Sequence, residues 1–323
     1  MGDWRRQLRY DPLPLLIRSR NKAIAYFSKR DLLKEQVDPL ETLWGLAPAQ
    51  ILLRRQQENG SWRFRGGRPG ERWNQDYEQL ETFRILGLLV EEYGFTRAHP
   101  AIRRAAEFMF MSQTDEGDFR GIYGNQYTPN YSGAIMELLI KATHGTDPRI
   151  ERGFRWLLSI RQNDGGWALP LQTVGARLDH ATMASETLEP DRARPSSHLV
   201  TGMVLRAFAA HKHYRKAEAA KIAGRFLASS FFRRAEYPGR QDRDYWTKFS
   251  FPFWFTDLLS SLDSLSLLGF SVDDPQIRSA VRWLMDRQTK NGLWNLPLLK
   301  EASPDLPSWI ALAVCRVLKR LHR

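Results

Sequence analysis

The sequence predicts an all-α protein whose helices come in consecutive pairs and close into a ring, an α/α toroid of five to six pairs with inner and outer helices. Three observations predict it. A helix with its own start signal recurs along the chain, a glycine–aromatic closure follows each copy, and the closures stand about fifty residues apart (Gly60, Gly117, Gly165). Fixed-period helix pairs build solenoids or closed rings. Shorter-period helical repeats lack such a closure, so a ring is the better expectation.

In chain order, residues 1–38 read as a helical extension packing on the ring and 39–323 as a single toroid domain, with segment 12–34 able to complete a sixth pair. The recurring helix is visible in three segments, beginning at His99-Pro100, Asp147-Pro148 and Asp274-Pro275. From each proline, Ile stands at +2, Ala or Gly at +5, Phe or Trp at +8 and Met or Leu at +9, with a Gln at +13 or +14. Offsets 2, 5, 6 and 9 share one helix face. Proline at the first helical position sacrifices no hydrogen bond, and a preceding Asp can cap the free N–H groups.

The closure is Gln162-Asn163-Asp164-Gly165-Gly166-Trp167. Near copies run from Gln56 to Trp62 and from Gln288 to Trp294, and a weaker one from Gln113 places Phe119 where Trp belongs. Glycine allows the left-handed turn that ends a helix, the Trp packs back on the helix end, and Gln bonds to loose backbone groups. A degenerate unit puts Phe226-Leu227 in the helix and Tyr237-Pro238-Gly239 in place of the closure. Second helices are expected at about 77–93, 131–144, 197–211, 253–268 and 308–321.

Gln-x3-Gly-x-Trp after an amphipathic helix resembles the QW repeats of triterpene cyclases and protein prenyltransferase β subunits, from about residue 40 to the C-terminus. The chain is more closely similar to an uncharacterised group of single-domain prenyltransferase-like toroids. The stretches carrying that similarity are Ala23-Ile24-Ala25-Tyr26-Phe27 with Arg30-Asp31-Leu32-Leu33, Tyr127-Thr128-Pro129-Asn130-Tyr131, Trp246 to Pro252 and Ser308-Trp309-Ile310. The acidic signatures of the enzymes are missing. Ser271-Val272-Asp273-Asp274 lacks the first Asp of Asp-x-Asp-Asp, Tyr245 follows Asp242-Arg243-Asp244, and Ile277 stands where Asp-Asp-x-x-Asp ends. Cys315, the only cysteine, falls in the last apolar helix, which excludes an internal disulfide and a Cys-rich zinc site. No cofactor is expected.

Composition limits the remaining functions. A chain 42% hydrophobic and 26% charged is globular. No apolar run reaches the roughly 18 residues of a spanning helix, and the apolar stretch from Leu13 to Ile17 is interrupted by Pro14, so the chain reads as cytoplasmic. The formal charge of +12 attracts polyanions, but its basic residues are scattered along helices as on a solvated outer face. No specific nucleic acid is predicted, peripheral membrane contact is compatible with the charge, and no residue pattern sets an oligomeric state.

If the second helices form the inner ring, their N-termini gather Trp73, Asp76, Tyr77, Tyr127, Tyr131, His198, Trp246, Lys248, Trp254 and Trp309 at one mouth as substrate-binding candidates. Aromatic walls suit an isoprenoid-type ligand, because ring faces stabilise carbocations as they do ammonium ions; they suit stacked sugars as well. Asp257, between Phe253-Trp254-Phe255-Thr256 and Leu258-Leu259, is the candidate general acid, since apolar surroundings raise a carboxyl pKa. The competing reading has Asp257 bonding to a neighbouring helix end or a Thr hydroxyl. The expected function is a toroid that binds or transforms a small apolar or amphipathic isoprenoid-type ligand. The alternatives are a carbohydrate-active toroid, needing paired carboxylates such as Asp76, Glu81 and Asp257, or a basic scaffold for a polyanion.

Overall fold

A computed structural model describes residues 4–66, 74–238, 241–299 and 303–322. Among these residues the regular elements are helices, and β pairing is limited to isolated bridges. The helices are α1 (Leu13–Ile17), α2 (Lys22–Phe27, continued as a π-turn to Leu33), α3 (Ala47–Leu53), α4 (Tyr77–Tyr93), α5 (Pro100–Met111) and α6 (Pro129–Leu139, continued to His144). There follow α7 (Pro148–Ser159), the short α8 (Pro170–Thr173) and α9 (Leu178–Ala181), α10 (His198–Ala210), α11 (Glu218–Ser229), α12 (Leu258–Leu267), α13 (Pro275–Met285) and α14 (Leu306–Leu321).

The even members α4, α6, α10, α12 and α14 pack each against the next, and α2 bridges α14 to α4, which closes an inner ring of six. Hydrophobic patterning explains who goes inside. Helices α6 and α10 are buried on nearly every face, whereas α7 and α13 bury one stripe and expose the rest, the signature of an outer layer. Gly133 lets α6 and α10 meet closely: a Cβ there would lie 2.7 Å from the Val204 α-carbon. The toroid is thus all-α, as the repeat pattern predicts.

The closures fasten one pair to the next. Gly60, Gly117, Gly165 and Gly292 all have positive φ, between 84° and 112°. The indole N–H of Trp62, Trp167 and Trp294 donates to the carbonyl of Leu52, Leu157 and Leu284 at 2.8, 2.6 and 3.0 Å, in each case ten residues upstream. The closure glutamines reach forward: Gln56 and Gln113 donate to the Ala101 and Arg149 carbonyls at the start of the next outer helix (both 2.8 Å). Gln288 does the same across the ends of the chain, donating to the Tyr10 carbonyl at 2.6 Å. A second tie was not legible beforehand. Backbone N–H groups of Trp62, Phe119 and Trp167 donate to the hydroxyls of Thr82, Ser132 and Thr201 on the following inner helix.

Start signals behave as expected. Asp147 and Asp274 accept from Arg149 N and Gln276 N at 2.9 and 2.8 Å, and His99 substitutes its ring nitrogen at Ala101 N. One boundary differs. The helix expected from 253 begins at Leu258, because Asp257 caps it and the aromatic run before Asp257 is held in non-helical backbone by other partners. In the degenerate unit, Trp246 takes over the closure role by donating to the Arg233 carbonyl at 2.9 Å; Gly239 lies outside the described residues.

Candidate functional site

Connections from each outer helix to its inner partner are long and emerge on one face, at the inner N-termini; the returns, such as 94–99 and 145–147, are short. The long-loop face therefore carries the material from which a site can be built. The decisive piece is the segment 249–256. Its ends are pinned by Phe249 N donating to the Pro297 carbonyl (2.9 Å) and by the Thr256 hydroxyl donating to the Leu199 carbonyl (2.6 Å). Between them the Arg206 guanidinium donates to the Phe253 carbonyl.

This segment fills the middle of the ring with aromatic rings. Phe251 stacks on Trp309 (centroids 5.0 Å apart, 11° between planes). Trp254 meets Phe83 edge to face at 5.8 Å, and Phe83 meets Tyr131 at 5.9 Å. Tyr131 in turn meets Tyr123 at 5.6 Å. Such pairs add stabilisation of about 1 kcal/mol each beyond their burial.

Above the segment, towards the long loops, lies a cavity of about 390 Å³ lined by Phe64, Leu80, Phe83, Arg84, Tyr131, Ser250, Phe251, Trp254, Phe255, Leu299 and Leu306. Below it a second space of about 320 Å³ is walled by ions, including Asp31, Glu91, Lys141, Asp263, Arg316 and Arg320. Those ions are largely paired: Asp31 with Arg316 at 2.6 Å, Glu91 with Lys141, and Asp263 with Arg320. Phe251 lines both spaces, so the aromatic segment divides the channel into an apolar upper and a charged lower chamber.

The partition rests on a buried ion cluster. Glu137 of α6 lies 2.8 Å from both Arg206 Nε and Lys141 Nζ, and Glu137 and Arg206 are almost wholly buried. Burial works against the charge on Lys141, but Glu137 and Glu91 hold its pKa above the ordinary lysine value. Arg206 thus joins the ion cluster to the Phe253 carbonyl and sets the height of the aromatic segment.

The expected mouth residues separate into distinct places. Tyr131 and Trp254 line the upper cavity. Trp309 stands behind Phe251 as a packing partner. Asp76 caps α4, accepting from Gln79 N at 2.8 Å, and Tyr77 packs on Phe64 at 5.0 Å with its hydroxyl buried and unpartnered. The Tyr127 hydroxyl stands between the carboxylates of Glu116 (2.5 Å) and Glu189 (3.1 Å), outside the cavity lining. His198 stacks on Trp246 at 4.5 Å, and burial lowers its pKa to about 4. Lys248 lies over the Tyr245 ring at 4.5 Å. Trp73 lies outside the described residues.

Asp257 is 2% exposed and forms a capping box with Ser260: its carboxylate accepts from Ser260 N at 2.8 Å, and Asp257 N donates to the Ser260 hydroxyl. Burial raises its pKa to about 7, against the lowering effect of the Ser260 bonds and Arg206. It is not among the residues lining the cavity. Glu81, the third carboxylate considered, pairs with Arg84 at 3.2 Å and lies 3.9 Å from Arg55.

Phe64, Phe83, Arg84, Phe251 and Phe255 were not singled out from the sequence. A signal existed for part of them: Leu80, Phe83, Arg84 and Gly87 recur at helical spacing on one face of α4. Gly87 is the mark of that face, since a Cβ there would lie 2.9 Å from the Trp254 ring.

Residues 76–184 match the squalene-hopene cyclase C-terminal domain family. A squalene–hopene cyclase of Bradyrhizobium diazoefficiens is 23% identical, aligned over 70% of this chain and 37% of its own length. The chain therefore spans little more than a third of that relative. Among solved structures, a type II terpene cyclase from Scytonema in complex with geranylgeranyl dihydroxybenzoate is 11% identical, with 87% and 97% of the two chains covered and a TM-score of 0.35. A family 88 glycosyl hydrolase from Bacteroides vulgatus is 14% identical, with 98% and 93% covered and a TM-score of 0.46. The resemblance to squalene-cyclase-like toroids read from the repeats is thus borne out by the family match and the curated relative. Among the described residues, no helix is long and apolar enough to cross a membrane.

Proposed function

We propose that this protein binds an isoprenoid-type apolar ligand in its upper central cavity. The observation that carries the reading is the cavity wall itself. Six aromatic side chains (Phe64, Phe83, Tyr131, Phe251, Trp254, Phe255) and three leucines enclose about 390 Å³, with Arg84 the only charged group among the described lining residues. Burying a branched hydrocarbon against such a wall yields about 25 cal/mol per Å² of apolar area removed from water. Ring faces around it would also tolerate a cationic centre. Arg84, at the rim and paired with Glu81, gives an amphipathic ligand a place for an anionic end.

The family match over 76–184 covers α4 and α6, which supply Leu80, Phe83, Arg84 and Tyr131 of the wall. Asp257 is assigned the support of the aromatic segment, and the reading is one of binding.

The test is a thermal-shift and calorimetric panel of linear isoprenoids, their diphosphates, squalene, oligosaccharides and short DNA duplexes at low and high salt. At about 100 times its dissociation constant a specific ligand adds about 2.7 kcal/mol of stability. Salt-resistant stabilisation by an isoprenoid, lost in Trp254→Ala, supports the reading. Stabilisation only by polyanions that vanishes with salt, or only by oligosaccharides, overturns it.

A further inference from the structure

A third, lateral cavity of about 210 Å³ lies between α6, α10 and the loops around α8 and Tyr237. It differs in kind from the central one. Its described lining carries no charged side chain, and its walls are Leu169, Leu171, Leu199, Val200, Met203 and their neighbours. Phe255 lines both cavities and so stands as the partition between them.

The polar groups around this cavity are engaged by the protein, with one exception. The Thr256 hydroxyl donates to the Leu199 carbonyl (2.6 Å), the Tyr237 hydroxyl to the Pro195 carbonyl (2.5 Å) and the Gln172 amide to the Pro238 carbonyl (3.0 Å). The Ser197 oxygen accepts from Val200 N at 3.4 Å as the cap of α10. Asn130, in the first turn of α6, is 8% exposed, lines the cavity, and has a buried amide oxygen without a hydrogen-bond partner. An unmet buried acceptor costs about 1–3 kcal/mol, which a donor entering the cavity would recover. The terminal torsion of an asparagine is broad, so its oxygen can turn towards such a donor.

From this juxtaposition we infer that the lateral cavity is a second binding site, for a small neutral apolar molecule carrying one hydroxyl, which donates to Asn130 Oδ1. The absence of charge from the described lining disfavours diphosphates and carboxylates, which would be desolvated there without compensation. The site does not rest on the central-cavity reading and can fail or stand independently of it.

Geraniol and geranyl methyl ether are the probes, titrated calorimetrically into the full chain and three variants. The wild type is expected to bind the alcohol about fivefold more tightly than the ether, the worth of one ordinary hydrogen bond. Asn130→Leu should abolish that preference. Leu178→Trp, at the half-buried rim of the cavity, should abolish the same preference by filling the site, whereas Trp254→Ala, in the central cavity, should leave the alcohol preference within about twofold of wild type whatever it does to total isoprenoid binding. An alcohol preference that survives Asn130→Leu overturns the inference. So does an alcohol preference that is lost in Trp254→Ala and survives Leu178→Trp, or a geraniol-soaked crystal with only water beside Asn130. The Leu178→Trp result decides the matter if Asn130→Leu does not fold.

Discussion

The bare α-carbon of Gly87 faces the Trp254 indole so closely that a Cβ at 87 would stand 2.9 Å from the ring. A glycine in the middle of an inner helix costs about 1 kcal/mol relative to alanine. Here it makes the room that lets an aromatic side chain from the 249–256 segment form the cavity wall. Gly87→Ala should therefore leave melting temperature nearly unchanged, since the helix gains what the displaced indole loses. Affinity for a bound isoprenoid should fall by about tenfold or more, an effect on the site rather than on the fold. Calorimetric titration of both proteins with the best ligand from the panel checks this.

The closures should be separable from their packing. Trp294→Phe keeps an aromatic ring beneath the turn but removes the donor to the Leu284 carbonyl. The loss should be about 1–2 kcal/mol in urea unfolding, a hydrogen bond plus an orphaned buried acceptor. Trp167→Phe should cost the same through the Leu157 carbonyl. A near-zero change in both would assign the repeat's tryptophans to packing alone.

Asp257 sets one arm of the pH dependence. Its carboxyl keeps its proton to about pH 7 in the fold, against 3.8 for an unperturbed aspartate, because burial penalises the charge. Between these values the folded state holds more protons than the unfolded one, so this group's contribution to stability falls as pH rises. Asp257→Asn retains a capping oxygen for Ser260 N and cannot ionise. Unfolding by urea at pH 5 and pH 8 should show the variant gaining on the wild type by up to a few kcal/mol at the higher pH. A variant that is weaker at pH 8 would mean that the ionised carboxylate is stabilised by its cap.

His198 acts with the opposite sign. Burial against Trp246 lowers its pKa to about 4 from 6.5, so the unfolded state takes up the proton first as pH falls. Its contribution is present above about pH 6.5 and is lost between there and pH 4. His198→Phe keeps the stacked ring and should flatten the acid side of the stability profile over that window. Thermal melts from pH 4 to pH 7 report it directly.

The repeat, its caps and its closures were legible because each is local: proline and aspartate at a helix start, glycine and tryptophan at its end, all within a few turns of chain. Tyr131 and Trp254, expected at the mouth from helix position alone, line the upper cavity. Trp246, Trp309 and Tyr127 share their residue type and similar positions, yet they face Arg233, Phe251 and Glu116 outside the cavity lining. Residue type at a helix start gives depth in the ring but not the direction in which a side chain leaves a loop.

What the sequence by itself determined is the all-α repeat and the order of its pairs, because hydrophobic period and turn chemistry are carried by neighbours in the chain. Tertiary structure alone decided where the ring interior is open. Arg206, fixed by the buried Glu137, holds the Phe253 carbonyl, and that long-range bond settles how far the aromatic segment descends. It also settles which faces of Phe83, Phe251 and Phe255 meet empty space. Such contacts join residues far apart in sequence, and their energies depend on burial, which no local pattern encodes.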